Sequence, residues 1–313
     1  MKVPKSSICT GQECRYFGRS LADLIHFKVP KSHKLTGIES VADVQAEDHK
    51  RLASVQRALN DMKPGVRKLR TAKLAKKLSM PDTPATLASS RYYRDTRLTI
   101  LPHLWKLTDE TSHGSVRTVT ILIKGWQYHP EELRHVKPKR LLERFRADLY
   151  RCGINEVDGF AFFALHGEYD EETDLFDIHI HGITVGEMDQ VFERLSSRPK
   201  YRSYKIEKDG LKRRVHGVVR SDKPLTNMPA PLTYVMQSWW PARETYIKDG
   251  KVLRRRIRKR IPDVPHLHWL LWMDRWNISD MTLRMGMRMS KKRGLYTVKR
   301  RTRTDDESRL KGR

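Results

Sequence analysis

Residues 159–186 read GFAFFALHGEYDEETDLFDIHIHGITVG and contain two runs of strand-forming residues. The first run, from Gly159 to Tyr169, is apolar. The second run, from Leu175 to Val185, alternates apolar and polar residues, which is typical of a strand with one buried face. The polar residues from Asp170 to Asp174 predict a turn between them. The stretch therefore predicts a β-hairpin.

The flanking sequence extends this hairpin to a larger unit. It predicts, in chain order, a strand, a helix that Pro138 interrupts, the hairpin, a short helix, a strand and a last helix, which cover Val116 to Ile123, Glu131 to Tyr150, Gly159 to Val185, Glu187 to Leu195, Val215 to Arg220 and Pro229 to Trp240. This order is the split β-α-β pattern, in which helices pack on one face of an antiparallel sheet. The predicted fold class is therefore α+β.

The rest of the chain is basic. Residues 1–95 are predicted to form a partly helical extension that ends in a linker near Pro81 and Pro84. Residues 96–245 are predicted to form the central domain, and residues 246–313 a basic helical region. Lys and Arg number 63 against 37 Asp and Glu, a formal charge of +26. Such an excess favours a polyanion, above all nucleic acid, as the partner, although ribosomal and packaging proteins are equally basic.

Composition also bears on the compartment and on the classes of protein to exclude. The three cysteines are too few for a disulfide scaffold and fit a reducing cytosol. No apolar run is long enough for a membrane span, and the N-terminus lacks the apolar core of a signal peptide. We therefore expect a cytoplasmic protein with no membrane partner. No Walker A pattern occurs, so an ATP-driven helicase in this chain is not expected.

Two histidines in the second hairpin strand are candidate metal ligands. His179 and His181 alternate with Ile178 and Ile180, so both imidazoles leave the same face of the strand. Imidazoles at i and i+2 can occupy adjacent positions around one divalent ion, which could polarise a phosphate oxygen. Such pairs also occur by chance, as His266 and His268 show.

The first hairpin strand offers the third ligand. His166 and Glu168 share one face with each other, and the strand register decides whether that face is the one of His179. We favour Glu168, because a carboxylate suits Mg or Mn, and keep His166 as the alternative. Asp177 is a candidate supporting residue that orients a ligand.

The segment ALHGEYDEETDLFDIHIHGITVG, residues 164–186, resembles the His-hydrophobic-His motif of the HUH endonuclease superfamily. This group includes rolling-circle replication initiators, conjugative relaxases and single-tyrosine transposases. The resemblance covers roughly Val116 to Trp240. It implies an antiparallel sheet whose central strand carries the two histidines, a divalent metal with a third polar ligand, and a tyrosine on a following helix that attacks single-stranded DNA.

The resemblance implies Tyr234, in the helix after the last core strand, as the nucleophile. Gln237 lies one turn later and would share its face, where related enzymes place a metal ligand or phosphate contact. This chain has Gln or Ser there instead of the lysine of many initiators, which leaves the subfamily open. Tyr201, Tyr204 and Tyr246 are the rival tyrosines, the first two in a segment that predicts a loop.

Several other residues are candidate DNA contacts. Trp239 and Trp240 could stack on unpaired bases, and a basic run would contact phosphates without sequence preference: Arg254, Arg255, Arg256, Arg258, Lys259 and Arg260. Residues 272–298 resemble a helix-turn-helix, with Ser279 as a cap, Gly286 at the turn, and Arg284, Arg288, Lys291 and Lys292 towards phosphates. A helical pair packed on the central domain is the simpler alternative.

These features together predict a DNA-nicking and strand-transfer enzyme that forms a 5′-phosphotyrosine link and initiates rolling-circle replication of a plasmid or phage. Its expected partners are the single-stranded nick site, duplex origin DNA, and a host helicase and polymerase. A single-tyrosine transposase is the close alternative. A non-catalytic nucleic-acid-binding module is the rival from another class, but it would expose aromatic residues where this sheet carries histidines and acids.

Overall fold

The computed structural model describes residues 39–110, 116–208, 211–225, 228, 230–248, 251–254, 258–290 and 294–298. Its centre is one sheet of six strands. The strands are β1 (Arg117–Tyr128), β2 (Gly159–Asp170), β3 (Leu175–Gly186), β6 (Val218–Arg220), β7 (Ala242–Arg243) and β10 (Thr282–Met285). Three two-stranded hairpins lie outside this sheet: β4 (Tyr204–Lys208) with β5 (Leu211–Val215), β8 (Thr245–Lys248) with β9 (Lys251–Arg254), and β11 (Met287–Ser290) with β12 (Gly294–Thr297).

The helices flank this sheet. They are α1 (Val41–Asn60), α2 (Val66–Leu78), α3 (Ser90–Asp109), α4 (Pro138–Arg151), α5 (Asp189–Ser196), α6 (Ala230–Val235), α7 (Asp263–Met273) and α8 (Ile278–Met281). Short 3-10 helices cover Pro130–His135 and Pro199–Tyr201. None of the helices in the described residues is both long and apolar enough to cross a membrane.

The strand order confirms the predicted α+β class with an antiparallel sheet. The order is β10-β2-β3-β1-β6, and each neighbouring pair is antiparallel. Helix α4 connects β1 to β2, and α5 lies between β3 and β6, as the sequence predicts. The β4–β5 hairpin, between α5 and β6, was not predicted, and it places Tyr204 in a strand and not in a loop.

One face of the sheet packs against α4 and α5. Ile178 and Ile180 on β3 point to this face, together with Phe163 on β2. Phe145 of α4 meets Phe163 edge-on with ring centroids 5.2 Å apart, and Phe192 of α5 lies 6.1 Å from the same ring. A Cβ on Gly182 would lie 2.3 Å from the Phe163 ring, so any residue other than glycine would displace this ring.

The opposite face is also covered, which corrects the prediction that helices pack on one face only. Phe160 and Phe162 of β2 and Ile183 and Val185 of β3 form a second apolar cluster with residues of α3 and α6. The alternation in residues 175–185 correctly separates the two faces. It cannot show that a helix from the N-terminal part of the chain covers the second one. The histidine face of the sheet is therefore buried.

Helices α1 and α2 belong to the same core as the sheet. Val55, Leu74 and Leu78 join the apolar cluster that contains Phe163. Asp48 of α1 is 1% exposed and accepts hydrogen bonds from Ser89 Oγ (2.6 Å) and the Ser90 amide (2.5 Å) at the start of α3. The predicted boundary between residues 95 and 96 falls inside α3. The helices before this boundary are therefore packed on the central domain.

The predicted helix-turn-helix is wrong. Within the described residues after α7, the one helix is the four-residue α8, which Asn277 caps in place of Ser279. Strands β10 and β11 follow, and Gly286 turns between them with φ of 67°. The apolar α7 is buried against the core, and β10 extends the main sheet along Ala161 to Ala164. Arg284 and Arg288 lie on these strands, and Lys291 and Lys292 lie outside the described residues.

The basic run after Arg254 is partly described. Arg254 ends β9, Arg255 and Arg256 lie outside the described residues, and Arg258, Lys259 and Arg260 are exposed. Lys259 forms an ion pair with Glu244, and Arg260 forms one with Glu47 at 2.8 Å. These two side chains are therefore already neutralised within the protein.

The burial of His266 predicts that the stability of the folded protein depends on pH. It is buried in α7 and stacked on Trp269, and burial, aided by the charge of Arg51, holds its pKa well below its ordinary value of 6.5. The folded chain then binds fewer protons than the unfolded chain below pH 6.5, so stability falls as the pH drops through this value. In chemical unfolding, His266→Gln should reduce the loss between pH 7 and pH 5.5 by about 1 kcal/mol. An equal loss in both proteins would contradict this assignment.

Candidate metal centre

The register between β2 and β3 brings three histidines together. His166 lies directly opposite His179, and Ala164 lies opposite His181. Directly opposed residues of antiparallel strands point to the same face. His166, His179 and His181 therefore meet on the sheet face that α3 and α6 cover, where they are 3%, 5% and 6% exposed.

The geometry of this cluster would allow it to hold a metal ion. One nitrogen of each of the three imidazoles lies within 4.8 Å of the other two. His179 Nε2 and His181 Nε2 are 3.1 Å apart, and the ring centroids of His166 lie 5.3 Å and 4.9 Å from those of His179 and His181. Three imidazole nitrogens at such separations can occupy adjacent positions around one ion.

The second ring nitrogens fix the orientation of two imidazoles. His179 Nδ1 donates to the backbone oxygen of Asp177 at 3.0 Å, and His181 Nδ1 lies 2.9 Å from Thr120 Oγ1 on β1. With the proton on Nδ1, each Nε2 presents its lone pair to the centre of the cluster. Both ring nitrogens of His166 are buried without a hydrogen-bond partner among the described residues. An unpartnered buried imidazole beside two converging lone pairs fits a metal ion.

The protonation state agrees with ligation. Burial holds the pKa of His166 well below its ordinary value, and the neighbouring His181 and His179 lower it further. Burial likewise lowers the pKa of His181, with contributions from His179, Arg258 and Arg243. These two imidazoles are therefore neutral at pH 7, which is the form that binds a metal.

The structure does not bring Glu168, the favoured third ligand, into the cluster. Glu168 lies on the histidine face, opposite Asp177, but its Oε1 is 2.6 Å from Arg243 Nη2 of β7. Asp177 accepts a hydrogen bond from Gln127 Nε2 at 3.1 Å. The prediction of Glu168 is therefore corrected in favour of His166. The reason is Arg243, which takes up the carboxylate.

Tyr234 lies against the histidines. Its ring centroid is 4.8 Å from that of His181 and 6.3 Å from that of His166, with a nearly parallel arrangement to the latter. The side chain is 37% exposed, in contrast to the buried histidines beneath it. The phenol is thus placed between the candidate ligands and solvent, where a bound phosphate could reach both.

The contacts of helix α6 position this tyrosine. The helix ends at Val235, five residues before the predicted end at Trp240. Arg97 Nη2 of α3 donates to the backbone oxygen of Thr233 at 3.0 Å. Glu39, which is 2.7 Å from Arg97 Nη1, also accepts a hydrogen bond from Ser238 Oγ. These contacts hold the turn that carries Tyr234 against α3.

Arg258 connects Tyr234 to Gln237. Its guanidinium lies 5.5 Å from the Tyr234 ring centroid, with Nη2 3.5 Å from the phenolic oxygen. Arg258 Nη1 donates to Gln237 Oε1 at 3.2 Å. Gln237 is thus a partner of the arginine, whereas Ser238 is buried and turned towards Glu39. The arginine places a positive charge beside the hydroxyl group of Tyr234.

The rival tyrosines lie in other surroundings. Tyr201 is buried and donates to Asp148 at 2.8 Å, and burial with this hydrogen bond raises its pKa. The Tyr204 hydroxyl accepts from Gln127 Nε2 at 3.2 Å. Tyr246 is exposed on the β8–β9 hairpin. Only Tyr234 stacks on the histidines among the described tyrosines.

The predicted base-stacking role of Trp240 is wrong. Its indole is 4% exposed and packs against Gly167, whose added Cβ would lie 2.5 Å from the ring. The ring is also 5.3 Å from Trp272 of α7. Trp240 therefore fills the core at the edge of the sheet and cannot receive a base. Trp239 is half-buried.

Thr120 and Arg243 are residues of the site that the sequence analysis missed. Thr120 could have been found, because it lies on the predicted strand before the hairpin. Arg243 stands in the two-residue strand β7, parallel to the end of β2, and no local pattern marks it.

No protein-family model, curated protein or solved structure matches this chain. The functional argument therefore depends on the site itself.

Proposed function

We propose that this protein is a metal-dependent DNA-nicking and strand-transfer enzyme that uses Tyr234 as its nucleophile and initiates rolling-circle replication. The observation that carries the proposal is the placement of a partly exposed tyrosine over three buried histidines. Two of these histidines, His166 and His181, are held neutral by burial. The resemblance of residues 164–186 to the HUH motif supports the same assignment.

The chemistry assigned to Tyr234 is a reversible transesterification. Its phenolic oxygen attacks a phosphodiester phosphorus and loses its proton to solvent. The bond from phosphorus to the 3′ oxygen breaks, and that oxygen takes up a proton and leaves as a 3′ hydroxyl. The 5′ phosphate remains bonded to the tyrosine until a 3′ hydroxyl attacks it and restores the phenol. No water is consumed, so the strand can be rejoined.

The other side chains around Tyr234 would bind the metal ion and stabilise the charges of the reaction. His166, His179 and His181 would hold a divalent ion, which when bound neutralises phosphate charge and polarises a phosphate oxygen. Arg258 lies beside the phenolic oxygen, where its charge would stabilise a phenolate and attract phosphate. Three imidazoles suit transition ions better than Mg, so we expect Mn rather than Mg to be the better activator.

The sheet face that a nucleic-acid-binding module would use supports the enzyme over that rival. Such modules stack bases on aromatic residues exposed on central strands. Here the aromatic residues of that face, Phe160 and Phe162, are 4% and 1% exposed under α3 and α6. The accessible group next to the histidines is instead a tyrosine hydroxyl.

A covalent-trapping assay tests the proposal. The purified protein is incubated with labelled random-sequence single-stranded DNA and Mn, Mg or EDTA, and the products are separated on a denaturing protein gel. We expect a DNA-linked band with Mn, a weaker one with Mg, and none with EDTA or in the double variant His179→Ala, His181→Ala. The double variant His129→Ala, His135→Ala, which replaces two exposed histidines outside the cluster, is the matched control. Absence of a band in every condition, with tight metal-independent binding, would favour a binding module.

A further inference from the structure

A basic cleft lies between α2 and α7, apart from the histidine cluster. Its volume is about 510 Å³, and its walls carry Arg67, Arg70, Lys73, Lys77, Arg134 and Arg275 against the acids Glu131 and Asp274. Trp272 and Leu271 of α7 also line it. Trp272 contacts Trp240, which in turn lies 6.4 Å from His166. Two indole rings therefore stand between the cleft and the candidate metal centre.

The cleft gathers more positive charge than the protein itself neutralises. Lys77 is paired with Asp274 at 2.6 Å. Arg70 and Lys73 are exposed and form no ion pair within the part of the chain that the structure describes. Burial lowers the pKa of Arg275, and the charge of Arg70 across the cleft lowers it further. Like charges gathered in a concave site repel each other and are relieved when an anion binds.

The donors of the cleft are held in place from both sides. Arg275 Nη1 donates to the backbone oxygen of Arg134 at 2.5 Å, and its guanidinium lies 5.0 Å from the Trp276 ring centroid. On the opposite wall, Arg67 Nη2 is 2.5 Å from His268 Nε2. Burial and Arg67 lower the pKa of His268 to about 4, so this imidazole is neutral and accepts from the arginine. The guanidinium groups of Arg275 and Arg67 therefore each have a partner within the protein before an anion arrives.

We propose that this cleft binds the phosphodiester backbone of single-stranded nucleic acid at a second site, separate from Tyr234. The basic residues Arg67, Arg70, Lys73 and Lys77 recur at intervals of three or four along one side of α2, and Arg134 and Arg275 face them. Two walls that both carry cations can follow the backbone of a single strand, and we expect a cleft of about 510 Å³ to be too small for a duplex. Binding here requires neither the histidines nor the tyrosine.

Salt-dependent binding tests this site. The full-length protein is titrated against a fluorescein-labelled single strand of about 20 nucleotides in EDTA, so that no strand is cut, over a range of KCl concentrations. The variant Arg70→Gln, Lys73→Gln removes two cleft charges. We expect it to bind more weakly and to reduce the slope of log affinity against log salt by about 1.4, because each phosphate contact on a single strand contributes about 0.7.

A matched variant separates the site from net charge. Lys139→Gln, Arg140→Gln removes two exposed charges from α4 and should leave the slope unchanged. The double variant His179→Ala, His181→Ala should also keep the wild-type slope, although it would lose the covalent product. Equal slopes for the cleft variant and the α4 variant would overturn the proposal. The proposal would also be overturned if the cleft variant reduced the salt slope with a duplex of the same sequence but not with the single strand.

Discussion

Replacement of Tyr234 by phenylalanine is expected to lower the yield of DNA-linked protein by at least about 1,000-fold, the scale on which removal of a covalent nucleophile acts. The ring, and with it the packing on His181 and His166, is preserved in this variant. The hydroxyl group is 3.5 Å from Arg258 and the side chain is 37% exposed, so the melting temperature should change little. The measurement is the denaturing-gel yield in Mn.

Tyr246→Phe is the matched control, since Tyr246 is also 37% exposed but lies on a separate hairpin. This variant should retain the wild-type yield. Metal binding by Tyr234→Phe should also remain close to wild type, because the three imidazoles are unchanged. A DNA-linked band that survives Tyr234→Phe and disappears in Tyr246→Phe would move the nucleophile to the β8–β9 hairpin and contradict the geometry.

The second large effect concerns the third ligand. His166→Gln is expected to weaken Mn binding, measured by calorimetry, by at least about 100-fold. By comparison, loss of a residue that only supports a metal ligand lowers metal affinity by roughly 10- to 100-fold. Glu168→Gln should weaken it by less than about 10-fold, because the carboxylate is engaged by Arg243 and lies outside the cluster. The two residues share a strand face, so the comparison isolates the ligand chemistry.

The folded state of each variant can be followed independently by thermal unfolding without metal. His179→Gln should match His166→Gln in the calorimetric experiment, because both residues supply one nitrogen to the same cluster. If Glu168→Gln abolished binding while His166→Gln preserved it, the carboxylate would be the ligand. The ion pair with Arg243 would then have to open when metal binds.

The sequence predicted the elements that local patterns encode. The alternation of Phe176, Ile178 and Ile180 with Asp177, His179 and His181 was sufficient to place both histidines on one face. The spacing of His166 and Glu168 on the first hairpin strand gave two candidates for the third ligand but not the choice between them. That choice depends on Arg243, which is distant in sequence and reaches Glu168 only because β7 pairs with the end of β2.

Long-range packing also explains the wrong expectations. Trp240 has the sequence context of an exposed helix end, but α6 ends early and the chain carries the indole onto Gly167. The segment after α7 contains the residue types of two helices. Residues 282–285 instead pair with β2, because that edge of the sheet would otherwise be open. A neighbouring strand is invisible to any periodicity within the segment itself.

The contact between Glu39 and the Tyr234 turn has a practical consequence for how the protein is divided. One carboxylate, just before α1, accepts from Ser238 and pairs with Arg97, and Arg97 in turn holds the backbone oxygen of Thr233. An expression fragment cut at residue 96 would lose that carboxylate and the first turns of α3, and Arg97 would lose its acidic partner. The smallest self-sufficient reactive unit must therefore start upstream of Glu39.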